Sequence, residues 1–534
     1  MTTTARATAR ILADAGIDRV FGLPGGEILV LIDELRRAGV EFVLMRHESN
    51  AGIAAAVYGK MRRQPGVVLT TLGPGAANLM LPLSNAYLDQ EPLLALSAQL
   101  PEDFPRSHTH QLLPLHELYR PITRLSDRIT AQDTQVITRA MERCLERPFG
   151  AAFLTLSARE ALKPAPDGSV ASAKRVTVRT VTGRESATRR AAEGLSEALR
   201  GAERPLVMIG LGFDNTNAGA LRQWLTDWRL PVAVTPKIKG VVDETSDNFV
   251  GVVGGMAADQ LMCDAIRSAD LLVGMGLDPV ELDKTWHAEL PIHWVLEAPN
   301  VGELIPDGVS LVDHGLLLAQ LTGTKAPRNW KAPFARFQKK RLGMLTPKSR
   351  AKRVMWPGDL IQSLAEVLPP DTIVTTDVGS HKYLFGQYWP SREPETFWMS
   401  NGLSGMAYGL SAAIGAKLAR PGSPVLAVVG DGGFSMNCQE LETAKRVGAP
   451  FITVVLEDQS YSLIKLAQED KKLEPYRMDF GPIDSVKIAE ACGVKGLRTA
   501  DPKKLAAAVR KAAADNTSLV VGVPINYADY KRLF

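Results

Sequence analysis

Short apolar runs that end in glycine-rich turns and lead into amphipathic stretches recur along the chain, and that rhythm admits few folds. Arg19-Val20-Phe21-Gly22 leads into Leu23-Pro24-Gly25-Gly26 and an amphipathic run over 28–38. The run 67–71 leads into Gly73-Pro74-Gly75 and a helical stretch from Ala76. The pattern returns at 205–210, 270–274, 373–377 and 425–430. Strand alternating with helix means parallel sheets covered on both faces. Ligands of such sheets sit beyond the carboxyl ends of the strands, where these glycine turns fall.

The chain has 534 residues, and at about 150 residues per domain that predicts three to four domains. Two stretches break the rhythm and read as linkers: 163–179, rich in Pro, Ala, Ser and Lys, and 323–356, rich in Pro, Lys and Arg. The expected fold is α/β, with doubly wound parallel-sheet domains over 1–163, 180–322 and 355–534.

Composition removes several classes. Net charge is only +4, from 62 Lys and Arg against 58 Asp and Glu, which argues against a nucleic-acid partner. Cys144, Cys263, Cys438 and Cys492 are far apart, with neither zinc-knuckle nor disulfide-framework spacing, which fits a reducing, cytoplasmic setting. No run approaches the about 18 apolar residues of a membrane span. The acid-poor start resembles a transit peptide in composition, but it runs straight into a periodic segment over 5–15, read as mature helix.

The sharpest chemical signal is Val428-Val429-Gly430-Asp431-Gly432-Gly433-Phe434. A strand ends in a glycine turn, and a helix is expected from about Asn437. Glycines let backbone N–H groups approach a phosphate. An acid there would repel the phosphate unless a cation lay between. Magnesium is typically held by one or two carboxylates with phosphates and water. The next strand, 451–456, ends in Glu457-Asp458-Gln459-Ser460-Tyr461, which puts Asp458 27 residues after Asp431. One helix and one strand fill that interval, so the two strand ends can be neighbours. A surface turn carrying two acids is the plain alternative. A dinucleotide turn fails, because Ser435 stands where the third glycine belongs.

Gly-Asp-Gly followed at this spacing by an amide or acid resembles the magnesium motif of thiamine-diphosphate enzymes, and the likeness covers nearly the whole chain. The resemblance implies pyrimidine-binding, central and diphosphate-binding domains in that order. It implies Asp431, Asp458 and the Ser460 carbonyl as Mg2+ ligands, although the family commonly has Asn at Asp458 and also at Glu457. It implies Glu48, in Arg46-His47-Glu48-Ser49-Asn50, as the acid that hydrogen-bonds the aminopyrimidine. A salt-bridged Glu beside Arg46 is the bland alternative. The thiamine ring would perform the difficult chemistry while the protein orients it.

Further cofactor-binding residues follow from the same resemblance. Pro24, Gly25, Gly26 and Glu27 match the loop over the thiazolium, with Gly26 beside the reacting carbon. Gly73 and Asn78 match a turn that meets the cofactor across a subunit interface. Gly379, Ser380 and His381 match a diphosphate-contacting turn, joined by Gly430, Gly432 and Gly433 and by Tyr461, Ser462 and Leu463. Leu403, Gly405 and Met406 match the segment beneath the cofactor, where Met406 would wedge the rings or else simply pack in the core. Glu48 and Asp431 would come from different chains, which implies a homodimer or homotetramer.

Within the family the chain is similar to acetolactate synthases of the catabolic, flavin-free type. Ser107-His108-Thr109-His110-Gln111, followed by Tyr119-Arg120-Pro121-Ile122-Thr123, resembles their substrate-side loop, so His110 and Gln111 would face a 2-keto acid. His110 stands where the flavin-containing type tends to have Phe, and residues 276–283 resemble the catabolic middle domain, which implies no FAD. The segments 440–444, 478–484 and 523–527 add to the likeness. The implied reaction decarboxylates pyruvate and joins the two-carbon unit to a second 2-keto acid, giving 2-acetolactate. A 2-keto acid decarboxylase and a non-catalytic homologue are the alternatives. The basic segment Thr235-Pro236-Lys237-Ile238-Lys239-Gly240 reads either as a site for an anionic acceptor or as a solvated face. The chain stops seven residues after Tyr527, where relatives often carry a longer tail.

Overall fold

Three six-stranded parallel sheets realise the strand–turn–helix rhythm. The computed structural model describes residues 2–101, 103–105, 107, 110–166, 185–281, 292–298, 309–322, 334–347 and 351–533. They divide into two units, one within 1–179, 403–422 and 439–449, the other within 180–402, 423–438 and 450–534.

The first unit holds β1 (Arg19–Gly22), β2 (Glu41–Leu44), β3 (Gly66–Thr70), β4 (Leu93–Ala98), β5 (Leu125–Arg128) and β6 (Ala151–Leu156), in the order β2-β1-β3-β4-β6-β5. In the second unit, one sheet has β7 (Pro205–Ile209), β8 (Val232–Val234), β9 (Phe249–Val252), β10 (Leu271–Met275), β11 (Ile292–Leu296) and β12 (Ser310–Leu311), ordered β12-β11-β10-β7-β8-β9. Its other sheet has β13 (Ile373–Thr376), β14 (Phe397–Met399), β15 (Val425–Gly430), β16 (Ile452–Glu457), β17 (Lys495–Arg498) and β18 (Leu519–Pro524), ordered β14-β13-β15-β16-β18-β17. The first and third sheets therefore share one winding. Its direction reverses between β1 and β3 and again between β13 and β15, and a doubly wound sheet opens its ligand crevice at such a reversal.

In the first unit the helix Glu48–Arg62 carries Ala51, Gly52, Ala54, Ala55, Ala56 and Gly59, all buried. Small side chains bring it backbone-to-backbone against its neighbours. A Cβ at Gly66 would strike the Ala55 carbonyl, and one at Gly415, in the helix Tyr408–Ala419, would strike the Ala54 carbonyl. Gly415→Val is expected to cost about 3 kcal/mol, the upper end of overpacking, read as a lower urea midpoint.

The structure corrects the reading of 235–240. Lys239 is 2% exposed, with Nζ 2.5 Å from Glu244 Oε2 and 3.0 Å from the Trp389 carbonyl. Lys237 Nζ donates to the Met399 carbonyl at 2.8 Å, at the end of β14. The two lysines tie the loop after β8 to the segments around β14 rather than facing solvent. Lys239→Met would leave Glu244 buried and unpaired, a loss of about 3–5 kcal/mol, visible as a lowered melting temperature.

Glu281 is buried and accepts from the Leu211 N–H at 2.9 Å, the Thr235 hydroxyl at 2.6 Å and the Lys237 N–H at 3.0 Å. Burial pushes its carboxyl up from 4.5 to about 7, and Asp278 adds to the rise against the lowering by those hydrogen bonds. Between these values the folded chain holds a proton that the unfolded chain has released. Stability therefore falls as pH rises through that window, by on the order of 3 kcal/mol, and the loss is complete above it. Glu281→Gln is expected to flatten this slope between about pH 5 and about pH 8 in urea unfolding.

The stretch 323–356, read as a linker, contains the helix Phe334–Gly343. Phe334, Phe337 and Arg341 are its buried residues, spaced on one face, and Arg341 Nη1 donates to the Gln387 carbonyl at 3.0 Å. Most of the linker at 163–179 lies outside the described residues. Among the described residues, no helix is long and apolar enough to cross a membrane.

Candidate functional site

In the first unit the carboxyl ends of β1, β2 and β3 bring most of the expected residues together. Glu48 is the first residue of its helix, where the helix dipole favours a carboxylate. His47 caps that end, its Nδ1 accepting the Ser49 N–H at 3.1 Å. Asn78 Nδ2 donates to Glu48 Oε2 at 2.9 Å, and the Ser49 hydroxyl donates to the Asn78 carbonyl at 2.6 Å. The glycine loops close around this pair. A Cβ at Gly75 would lie 3.4 Å from Glu48 Oε1 and 2.9 Å from Thr71 Cγ2, and one at Gly25 would lie 2.5 Å from Thr71 Cβ. The Thr71 hydroxyl donates to Glu27 Oε2 at 2.6 Å. Pro24 and Gly26 belong to the same loop, and a Cβ at Gly26 would meet only open space.

Gln111 joins this cluster: Gly73 has φ +62°, and a Cβ there would lie 2.8 Å from Gln111 Cβ. His110 is exposed, and His108 lies outside the described residues. Tyr119, in the segment that resembles the substrate-side loop, is turned inward. It is fully buried, its ring centroid 4.4 Å from that of Phe153, and its hydroxyl donates to the Ala76 carbonyl. It braces the Gly73–Asn78 turn from behind. Leu403 directly precedes Ser404, and Gly405 and Met406 lie between Ser404 and Ala407, which themselves take φ of +54° and +65°. A Cβ at Gly405 would lie 3.2 Å from Leu81 Cδ1. Met406 is half-buried.

In the second unit the ends of β13, β15 and β16 form the other cluster. Gly379 caps the helix Ser380–Tyr388, whose first residues carry buried polar atoms with no partner, Ser380 Oγ and His381 Nε2. A helix N-terminus with orphaned side-chain polar atoms suits an anion. Burial pulls His381 down to about 4, so its ring is neutral. Side-chain volume is excluded all round this turn. A Cβ at Gly430 would lie 3.3 Å from His381 Cε1, one at Gly432 would lie 2.9 Å from Tyr461 Cε1, and one at Gly433 would strike the Asp377 carboxylate.

Asp431 is itself the first residue of the helix Asp431–Asn437, so the helix starts earlier than expected. Its Oδ1 accepts the Gly432 N–H at 2.9 Å and its Oδ2 the Gln459 N–H at 2.8 Å. Asp458 Oδ2 accepts the Ser462 hydroxyl at 2.5 Å, and the same hydroxyl lies 3.4 Å from the Ser460 carbonyl. Burial pushes Asp431 up to about 6 and Asp458 to about 7. Glu457 adds to the first and Asp431 to the second, against the lowering by their hydrogen bonds. Buried acids, each raised by burial and by a neighbouring carboxylate, would be relieved by a cation beside them. Two carboxylates and a backbone carbonyl are hard oxygen donors of the kind magnesium takes. No group of three or more His, Cys, Asp or Glu side chains arranged to hold a metal ion occurs among the described residues. Glu457 is engaged elsewhere: Ser485 donates to its Oε1 at 2.7 Å and Arg498 Nε lies 2.8 Å from its Oε2. Sequence reasoning gave no site role to Thr71, Glu440 or Tyr530. Tyr530 is buried, its hydroxyl raised well above the usual value by burial and by Asp458 and Asp431.

Comparison with known proteins gives three family matches. Residues 2–117 match the thiamine pyrophosphate enzyme N-terminal TPP binding domain, 192–305 the central domain, and 377–523 the C-terminal TPP binding domain. The chain is 30% identical to "Acetolactate synthase" of Bacillus subtilis (strain 168), over 97% of this chain and 92% of the relative. It is 28% identical to "Acetolactate synthase, catabolic" of Raoultella terrigena, over 96% and 93%. It is 30% identical to "Acetolactate synthase isozyme 2 large subunit" of Escherichia coli (strain K12), over 90% and 88%.

Proposed function

The chain belongs to the thiamine pyrophosphate enzymes and is acetolactate synthase-like; from that premise we propose that it is a thiamine-diphosphate- and Mg2+-dependent carboligase that decarboxylates pyruvate and condenses the two-carbon unit with a second 2-keto acid, giving 2-acetolactate. What supports this most is the coexistence of the Glu48–Asn78 pair with the Asp431–Asp458 pair. One cluster offers an acid for the aminopyrimidine, the other the donors for a cation and a diphosphate. When bound, thiamine diphosphate supplies a nucleophilic carbon that also stores the electrons released on decarboxylation.

The chain's own residues have separate tasks. Asp431, Asp458 and the Ser460 carbonyl hold magnesium. The Ser380 hydroxyl, His381 Nε2 and the glycine turn at 430–433 take the diphosphate oxygens. Glu48 shares a proton with the ring nitrogen of the aminopyrimidine, and Asn78 Nδ2 keeps that carboxylate in one orientation. With the cofactor bound, the loop 24–26 and Gln111 would border its reacting carbon, and Gln111 would offer an amide to the carboxylate or carbonyl oxygen of the 2-keto acid, with His110 on the same loop. Leu403, Gly405 and Met406 would support the cofactor when it is bound. The domains divide as 1–163, 180–322 and 355–534, the middle one carrying no FAD. The enzyme is a cytoplasmic homodimer or homotetramer, and none of its four cysteines is in a disulfide, in keeping with a reducing setting.

The cofactor half of this reading is tested by titrating chelator-treated protein with thiamine diphosphate, with and without magnesium, following tryptophan fluorescence. Saturable quenching that needs magnesium is expected. Equal quenching without any divalent cation would contradict the assignment of Asp431 and Asp458.

A further inference from the structure

Glu440 lies 390 residues beyond Asn50 in the chain yet meets it in the first unit. The Glu440 side chain, in the helix Glu440–Arg446, is fully buried. Its Oε1 accepts the backbone N–H of Arg46 at 3.1 Å and Asn50 Nδ2 at 2.9 Å, and its Oε2 accepts the Thr443 hydroxyl at 2.7 Å. Arg46 and Asn50 stand two residues before and two residues after Glu48. The Arg46 N–H belongs to the turn between β2 and the helix, and Asn50 belongs to the helix's first turn. One oxygen atom thus holds the chain on both sides of Glu48.

Two outer contacts brace the same turn. Arg446 Nη2 donates to the Leu44 carbonyl at 2.7 Å, and Arg46 Nη2 lies 2.6 Å from Glu442 Oε2. Both arginines are partly exposed, so those contacts are worth little on their own. The Glu440 contacts are different, because an N–H or an amide left without its acceptor in a buried site costs its full desolvation penalty.

We propose that Glu440 is a positioning residue for Glu48: its carboxylate locks residues 46–50 from both ends, so that the Glu48 side chain is presented to the aminopyrimidine in one orientation with Asn78. This rests on the thiamine-dependent reading above for what Glu48 does, but not for the geometry. The role is one of shape rather than charge. Burial raises the Glu440 carboxyl above its usual value. A glutamine at this position can still accept from Arg46 and Asn50 with its carbonyl and donate to Thr443.

The test compares Glu440→Ala, Glu440→Gln and Glu442→Gln with the unaltered full-length chain. It reads kcat and KM for pyruvate, thiamine diphosphate affinity, and hydrogen exchange of the Arg46 amide. Glu440→Ala should lower kcat about tenfold or more with KM changed little, and speed exchange at Arg46, because a small misplacement of an acid is costly. Glu440→Gln should stay within about threefold of the unaltered chain, and Glu442→Gln should match it. Unchanged exchange and kcat in Glu440→Ala would overturn the proposal. So would a Glu440→Gln variant as impaired as Glu440→Ala, because charge and not shape would then matter. If Glu440→Ala does not fold, Asn50→Ala removes the helix-side tie alone. It should show a smaller fall in kcat with faster Arg46 exchange, and unaltered values would be equally fatal. If the unaltered chain makes no acetolactate, the carboligase reading fails by itself, and the exchange measurement still decides whether Glu440 holds the turn.

Discussion

Glu48→Gln lowers the rate of acetolactate formation by about 100-fold or more and leaves the fold intact. The glutamine carbonyl can still accept from Asn78 Nδ2, which now reaches Glu48 Oε2 at 2.9 Å. The Ser49–Asn78 contact and the His47 cap do not involve the altered atoms. The helix loses one favourable charge at its N-terminus, about 0.5 kcal/mol. What disappears is an acid able to share a proton with the aminopyrimidine. The measurement is kcat beside a melting temperature. An unaltered melt with a fall in kcat is the expected pair, and unaltered kcat would remove Glu48 from the mechanism.

Asp431→Asn has an effect of the same size on a different quantity. It is expected to raise the magnesium needed for half-maximal thiamine diphosphate binding by more than the about 10–100-fold that residues outside the metal's own ligands typically cost. Both oxygens of Asp431 already accept backbone N–H groups, from Gly432 and Gln459. An amide nitrogen in either place would set donor against donor as well as remove the charge. Asp458→Asn should be milder. Its Oδ2 accepts the Ser462 hydroxyl, which can rotate, and a neutral amide oxygen remains a competent magnesium ligand. A magnesium titration of both variants separates the two roles.

The strand–turn–helix rhythm made the three sheets legible, because each apolar run is local and each glycine turn marks a strand's carboxyl end. The same logic reached Asp431 and Asp458. They directly follow β15 and β16, which run side by side in register from Leu426↔Ile452 to Gly430↔Leu456. Glu48 was legible as an acid between an apolar strand and a small-residue helix. What escaped was set by contacts that leave no local period. Glu440 acts on a turn some 390 residues away. Lys239 looks like a surface cation until Glu244 and the Trp389 carbonyl close around it. Tyr119 sits in a motif that resembles a substrate loop, yet its hydroxyl is spent on the Ala76 carbonyl. The helix Phe334–Gly343 was hidden by the Pro, Lys and Arg residues around it, although Phe334, Phe337 and Arg341 carry its buried face.

The central claim is carboligation of a 2-keto acid, and turnover tests it most directly. Purified full-length protein with thiamine diphosphate, magnesium and pyruvate should release one carbon dioxide for each 2-acetolactate formed, and removal of either cofactor should abolish both products. Carbon dioxide accompanied by free acetaldehyde in place of 2-acetolactate would contradict the account and make the chain a decarboxylase.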